Sequence, residues 1–283
     1  MSYKIVIDSC GELTEEMKKN PFIESVPLEL QVGKERMWDD ETFNQAEFLK
    51  KVAACPECPK SSCPSPERYM EAYVTDADDV YVVTLSANLS GSYNSAMLGK
   101  DLYHEKYGDK NIHVFDSCSA SIAQTLIAGK VMELAEEGRS FEEIVKLGEA
   151  YRDSQDTYFI LDNLETLRKN GRLSGVKALV ATTLNIKPIM GATDEGTIIQ
   201  LGQCIGMKKA LTKMADMIAK KVTEEVKEPE KQCIMISHCN CKERADLVKK
   251  LLEERVKVKE ITILDTAGIS SMYANDGGVI VVV

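Results

Sequence analysis

The chain has 283 residues, 44% hydrophobic and 28% charged, which is enough for one large α/β domain or two ordinary ones and argues against extensive disorder. Its formal net charge of −10 disfavours a nucleic-acid backbone or an anionic membrane surface as main partner, although a local site can oppose that charge and hold a small anion. No apolar stretch approaches the roughly 20 residues a membrane-spanning helix needs, so an integral membrane protein is not expected.

Met1-Ser2-Tyr3-Lys4 runs directly into the strand-like Ile5-Val6-Ile7 without the pattern of an export signal. The nine cysteines accordingly read as reduced thiols of a cytoplasmic protein. Thr14 caps a short helix through Lys19, with acidic residues in its first turn and lysines in its last. Ser65-Pro66-Glu67 places a cap before a proline and predicts a helix through Val74. Residues 80–85 and 114–115 are mostly β-branched or aromatic runs without strict alternation, as in strands buried on both faces of a parallel sheet. Ser140-Phe141-Glu142-Glu143 is a capping box.

Beyond a boundary expected near Ser154-Gln155-Asp156 the pattern changes. Residues 158–161 predict a strand, and residues 164–170 a short helix stopped by Gly171. Residues 186–190 and 197–201 flank the turn-rich Thr193-Asp194-Glu195-Gly196 as a hairpin. A long amphipathic helix follows over 208–226, then strands at 233–237, 261–264 and 279–283 with a helix at 242–255. The expected fold class is therefore α/β in two domains. Residues 1–155 form an open, mostly parallel sheet with flanking helices, and residues 156–283 a smaller mixed-sheet α+β domain.

Ligands of open α/β sheets sit beyond the carboxyl ends of the strands. Those ends carry Asp8-Ser9-Cys10, the run from Ser86 to Ser92, and Asp116-Ser117-Cys118-Ser119. The middle one sets Ser90, Gly91 and Ser92 just before a helix. Unpaired N–H groups, the positive dipole end and a close backbone approach at glycine suit a carboxylate or phosphate there. Serine and glycine also cap helices without any ligand, so the loop alone leaves both readings open. Lys60-Ser61-Ser62-Cys63-Pro64-Ser65-Pro66 is a second serine-rich segment, read as a proline-stiffened loop whose adjacent hydroxyls face a ligand or merely lead into a helix.

Residues 60–67, 85–96, 114–121 and 161–174, with Ile186-Lys187-Pro188-Ile189, occur in an order that resembles the DegV family of bacterial fatty-acid-binding proteins over nearly the whole chain. The resemblance implies two domains with an acyl chain buried between them and no cofactor beyond that bound long-chain fatty acid. It implies that Ser61 and Ser90 hold the carboxylate with Ser62 and Gly91 beside them. It makes Arg172 an interdomain or partner contact and a separate fatty acid kinase the partner that receives the carboxylate. Ser61 stands where the family usually has threonine, and Cys63 where it has glutamine. Cys204-Ile205-Gly206-Met207 lacks an arginine, and the run from Ser271 to Gly278 a histidine, that kinase-supporting relatives often carry.

Two other chemistries compete. A serine-dependent acyl hydrolase needs a histidine base. Only His104, His113 and His238 are available, and no Gly-x-Ser-x-Gly elbow occurs. Cys55, Cys58 and Cys63 have spacings compatible with zinc or a redox dithiol, and Cys239 with Cys241 is another pair. Cys10 and Cys118, at strand ends, are expected to line the site as small apolar groups. The twelve methionines are either tunnel lining or ordinary core.

Overall fold

A computed structural model describes residues 2–173, 176 and 185–283. Ser174, the last residue of the 161–174 motif, lies outside the described residues.

The first sheet is parallel throughout, in the order β2 (Ile23–Val26), β1 (Tyr3–Asp8), β6 (Asp79–Thr84), β7 (Asn111–Asp116). All six residues of β6 are buried, as its apolar run requires. Tyr81 and Val83 pack with Phe115 against α5 (Ile122–Glu136) and α6 (Phe141–Asp153). Val80 and Val82 point the other way, against α3 (Pro66–Tyr73) and α4 (Ser92–Tyr107). These two helices approach closely at Gly99, where a β-carbon would lie 2.7 Å from the Pro66 carbonyl oxygen and 2.8 Å from Tyr69 Cβ.

The second sheet is mixed, in the order β10 (Ile198–Ile205), β9 (Ile186–Ala192), β8 (Thr157–Ile160), β13 (Val279–Val282), β11 (Cys233–His238), β12 (Glu260–Asp265). Only β11 and β12 pair in parallel. One face is covered by α8 (Met207–Glu225) and α9 (Lys242–Glu253), whose apolar stripes include Leu211, Met214, Ile218, Val248 and Leu252. The opposite face turns toward the first sheet. Helix α5 lies between them, with Ile127 and Val131 in the first core and Ile122, Ala123 and Leu126 against Met235 and Val282 of the second. That double packing explains a helix that is apolar nearly all round.

A third, small antiparallel sheet corrects the loop reading of residues 60–66. Lys60–Ser62 is a strand, β5, on the edge of β3 (Glu29–Val32), which pairs on its other side with β4 (Glu35–Trp38). Leu28, Leu30 and Val32 pack there with Phe48 of α2 (Gln45–Ala54) and with Ile269 and Met272 of α10 (Gly268–Ala274). The caps at Thr14, Ser65 and Ser140 form as their sequences indicate. No helix among the described residues is long and apolar enough to cross a membrane.

Candidate functional site

The serine loop joins β6 to α4, and a buried carboxylate shapes it. Asp8, at the end of β1, accepts from the Leu85 N–H (2.9 Å), Ser92 Oγ (2.6 Å), Gln124 Nε2 (2.8 Å) and the Cys10 N–H (3.2 Å). Ser92 gives its proton to Asp8, so the Tyr69 hydroxyl donates to Ser92 Oγ over 2.6 Å. Burial raises the Asp8 pKa, and these donors pull it back. Ser90 Oγ accepts from the Ser92 N–H at 3.2 Å, which leaves its own proton to donate. Gly91 begins α4 without a side-chain cap, and no described residue accepts a hydrogen bond from its N–H.

The opposite wall comes from β5. Ser61 is paired with Leu30 across the small sheet, and Ser62 with Glu29, which also faces Trp38. Directly opposed residues share a face, so Ser61 points to the core side with Leu30 and Ser62 to the outer side. Ser61 Oγ lies 3.1 Å from the Tyr273 hydroxyl of α10. Burial raises the tyrosine pKa from its ordinary 10.0, so the phenol keeps its proton. Arg172 donates from Nε to the Leu89 carbonyl (3.0 Å) and from its terminal nitrogen to the Asn170 carbonyl, with the guanidinium 5.9 Å from the Tyr273 ring centre. A β-carbon on Gly91 would lie 3.2 Å from Cys63 Sγ, so the two serine segments meet at a glycine.

Ser61, Ser62, Ser90, Gly91 and Arg172 thus border one pocket, and no Asp or Glu is among its described lining residues. Leu85, Leu89, Arg172, Ile269 and Tyr273 belong equally to its neighbour, an apolar cavity of about 760 Å³ atom-free space, open in part to solvent. The cavity continues between the two large sheets along Phe159, Leu161, Ile198 and Ile280. Ser119, Thr157 and Ala192 border it and also a second polar pocket, which holds Arg152 with Asp153, Asp156 and Asp194. One end therefore offers hydrogen-bond donors and the other carboxylates. The 193–197 turn closes the cavity wall. Ser86 Oγ donates to the Gly196 carbonyl (2.8 Å) and Asn88 Nδ2 to that of Glu195 (2.6 Å).

Cys10 lines the cavity, whereas Cys118 lies in the second polar pocket. No methionine is among the cavity's described lining residues. Cys55, Cys58 and Cys63 have separate neighbours: Gly33, the Asn170 side chain, and Ser95 with Gly91. Among the described residues, no three His, Cys, Asp or Glu side chains converge as a metal site requires. The histidines are engaged elsewhere. His104 meets the Lys110 carbonyl, His113 faces Glu149 at 3.4 Å, and His238 faces Asp265 at 3.5 Å. None is among the described residues that border the serine pocket. The reading from sequence missed Tyr273 and the carboxylate of Asp39, which accepts from the Gly268 (2.6 Å) and Ile269 (2.8 Å) N–H groups and so fixes α10.

The family model described as "Uncharacterised protein, DegV family" matches residues 2–283. A DegV domain-containing protein of Streptococcus gordonii is 35% identical over 286 residues, 99% of this chain and 98% of that protein. A DegV-family protein of Ruminococcus gnavus, solved with vaccenic acid, is 56% identical with a TM-score of 0.96 and 100% of both chains covered. The fatty acid kinase (Fak) B3 protein of Streptococcus pneumoniae, loaded with linoleic acid, is 31% identical with a TM-score of 0.87, covering 100% of this chain and 99% of that one. A DegV-family protein of Eubacterium eligens loaded with heptadecanoic acid is 26% identical with a TM-score of 0.86, 99% of each chain being covered.

Proposed function

The chain belongs to the DegV family, and on that premise we propose that it binds a long-chain fatty acid, with the carboxylate in the serine pocket and the tail in the apolar cavity. One observation carries the reading: a pocket of donors without a carboxylate opens directly into an apolar cavity whose other end is acidic. An anionic head with a hydrocarbon tail matches that order of environments and is repelled from the reverse one. Ser61 and Ser90 donate to the carboxylate, with the Gly91 N–H as helper and Arg172 bridging the 85–91 loop to the second half of the chain, while Ser62, whose side chain turns to the outer side of the small sheet, borders the pocket at its rim. Each buried methylene contributes roughly 0.8 kcal/mol before entropic costs. The fatty acids held by the Ruminococcus, Streptococcus and Eubacterium proteins support the same ligand class here.

The sheet composition supports a division into residues 1–155 and 156–283, since every strand of the mixed sheet starts at Thr157 or later. The chain acts in the cytoplasm as a binding protein that presents its ligand to a fatty acid kinase, in keeping with the name of the Streptococcus pneumoniae relative. Native mass spectrometry of freshly purified protein tests the ligand. An added mass equal to one long-chain fatty acid is expected, and stoichiometric zinc in its place overturns the reading. Adding a fatty acid kinase with ATP then tests presentation by the formation of acyl phosphate.

A further inference from the structure

The far end of the cavity carries polar groups that a plain hydrocarbon tail has no use for. Ser119 Oγ and Thr157 Oγ1 lie 2.7 Å apart, and both residues border the apolar cavity and the acidic pocket beyond it. Ser119 is buried, with 7% of its surface exposed. Two hydroxyls carry two protons, and their mutual bond uses one. Among the described residues neither oxygen has another partner, so the pair keeps one O–H to donate and lone pairs to accept. The backbone holds Ser119 in place. Its N–H donates to Ser117 Oγ (3.2 Å), and its carbonyl accepts from Ser117 Oγ (3.1 Å) and the Ser86 N–H (2.7 Å).

Resting on the fatty-acid reading above, we propose that the Ser119–Thr157 pair is a second polar subsite, which admits long-chain fatty acids bearing a hydroxyl on the half of the chain remote from the carboxylate. A neutral group is required. Asp153, Asp156 and Asp194 stand behind the pair; Arg152 is committed to Asp153 at 2.7 Å and Lys221 to Asp156 at 2.6 Å, and Asp194 has no ion-pair partner among the described residues, so a second carboxylate meets like charge with no free cation to hold it. A hydroxyl both donates and accepts and inserts into the pair without leaving a polar atom unpaired. An unsubstituted tail leaves the pair bonded to itself, so stearic acid remains a ligand.

The test is titration with stearic acid and with a series of stearic acids hydroxylated at successive carbons of the remote half. The best-placed isomer is expected to bind wild-type protein at least as tightly as stearic acid. In the Ser119→Ala, Thr157→Val double variant that isomer should fall about 10- to 100-fold behind stearic acid, because its hydroxyl is then buried without a partner. Thr157→Ser keeps the hydroxyl and should keep the wild-type ratio, and each single variant supplies the reading if the double variant does not fold. The proposal is overturned if every isomer binds wild type at least tenfold more weakly than stearic acid, or if the ratio is the same in wild type and variants. Failure of stearic acid itself to bind the wild type overturns the parent reading, and this one with it.

Discussion

Ser61 and Tyr273 are 212 residues apart in the chain, yet their hydroxyl oxygens lie 3.1 Å apart at the mouth of the apolar cavity. The contact joins an edge strand of the small sheet to α10, and the tyrosine ring also faces the Arg172 guanidinium. A carboxylate accepting from Ser61 therefore has a second protonated hydroxyl within reach. Tyr273→Phe keeps the ring and removes only that hydroxyl. Fatty-acid affinity should fall about tenfold or more, the worth of one hydrogen bond to a charged group, in a displacement titration. Unchanged affinity would remove Tyr273 from the site.

Ser61→Ala combined with Ser90→Ala should have a larger effect. Hydrogen bonds to a charged group are worth about 1.5–3 kcal/mol each, so losing two should weaken binding by about a hundredfold or more. Both residues are only part-buried, so the thermal midpoint of the ligand-free protein should hardly move. Equal binding by the double variant would show that the carboxylate is held elsewhere.

How far this was legible in the sequence depended on the span of each interaction. The caps at Thr14, Ser65 and Ser140 join residues three apart, and their sequences announce them. Ser90 and Gly91 were found because a strand, a small-residue turn and a helix follow one another directly. The serine-rich run 60–66 points to Ser61 and the family resemblance gives it a role, but its position reads as loop where the structure has a strand. A three-residue strand has no periodicity of its own, and its partner β3 lies some thirty residues earlier. The alternation of Glu29-Leu30-Gln31-Val32 was the available signal for that sheet. Tyr273 and Asp39 act over more than 200 residues, where no local pattern reveals a partner.

Two buried carboxylates give stability a definite dependence on pH. Burial raises Glu12 from 4.5 to about 7, opposed by the Ser270 and Ser121 hydroxyls, and Asp39 from 3.8 to about 6, opposed by the α10 N–H groups. A carboxyl raised on folding binds more protons in the native state, so its contribution is fully present below the unfolded pKa and is lost as pH rises to the folded one. Stability should therefore decline between about pH 4 and 7 through these two groups. Glu12→Gln keeps the shape, can still accept from the Ala267 N–H, and can donate to Ser121 Oγ while that serine turns its proton to Ser237, 3.0 Å away. Denaturant midpoints of this variant should gain on wild type as pH rises, by up to about 3 kcal/mol at pH 8. A constant difference across that range would show that Glu12 titrates normally.

Asp39 links stability to the site. Its two carboxylate oxygens each accept one N–H at the start of α10, which satisfies two donors that the helix cannot pair and fixes the helix carrying Tyr273. Asp39→Ala should cost about 1–2 kcal/mol of stability, the usual loss of a helix cap, and should also weaken fatty-acid binding because Tyr273 is no longer held against Ser61. Asp39→Asn keeps one acceptor and should lie between the two on both measures. Tyr273→Phe in the Asp39→Ala background separates the contributions. If Asp39 acts on binding through Tyr273, the second substitution should cost less there than in wild type, since coupled residues are not additive. Full additivity in a double-mutant cycle would mean that the cap supports the fold and leaves the carboxylate pocket to its own residues.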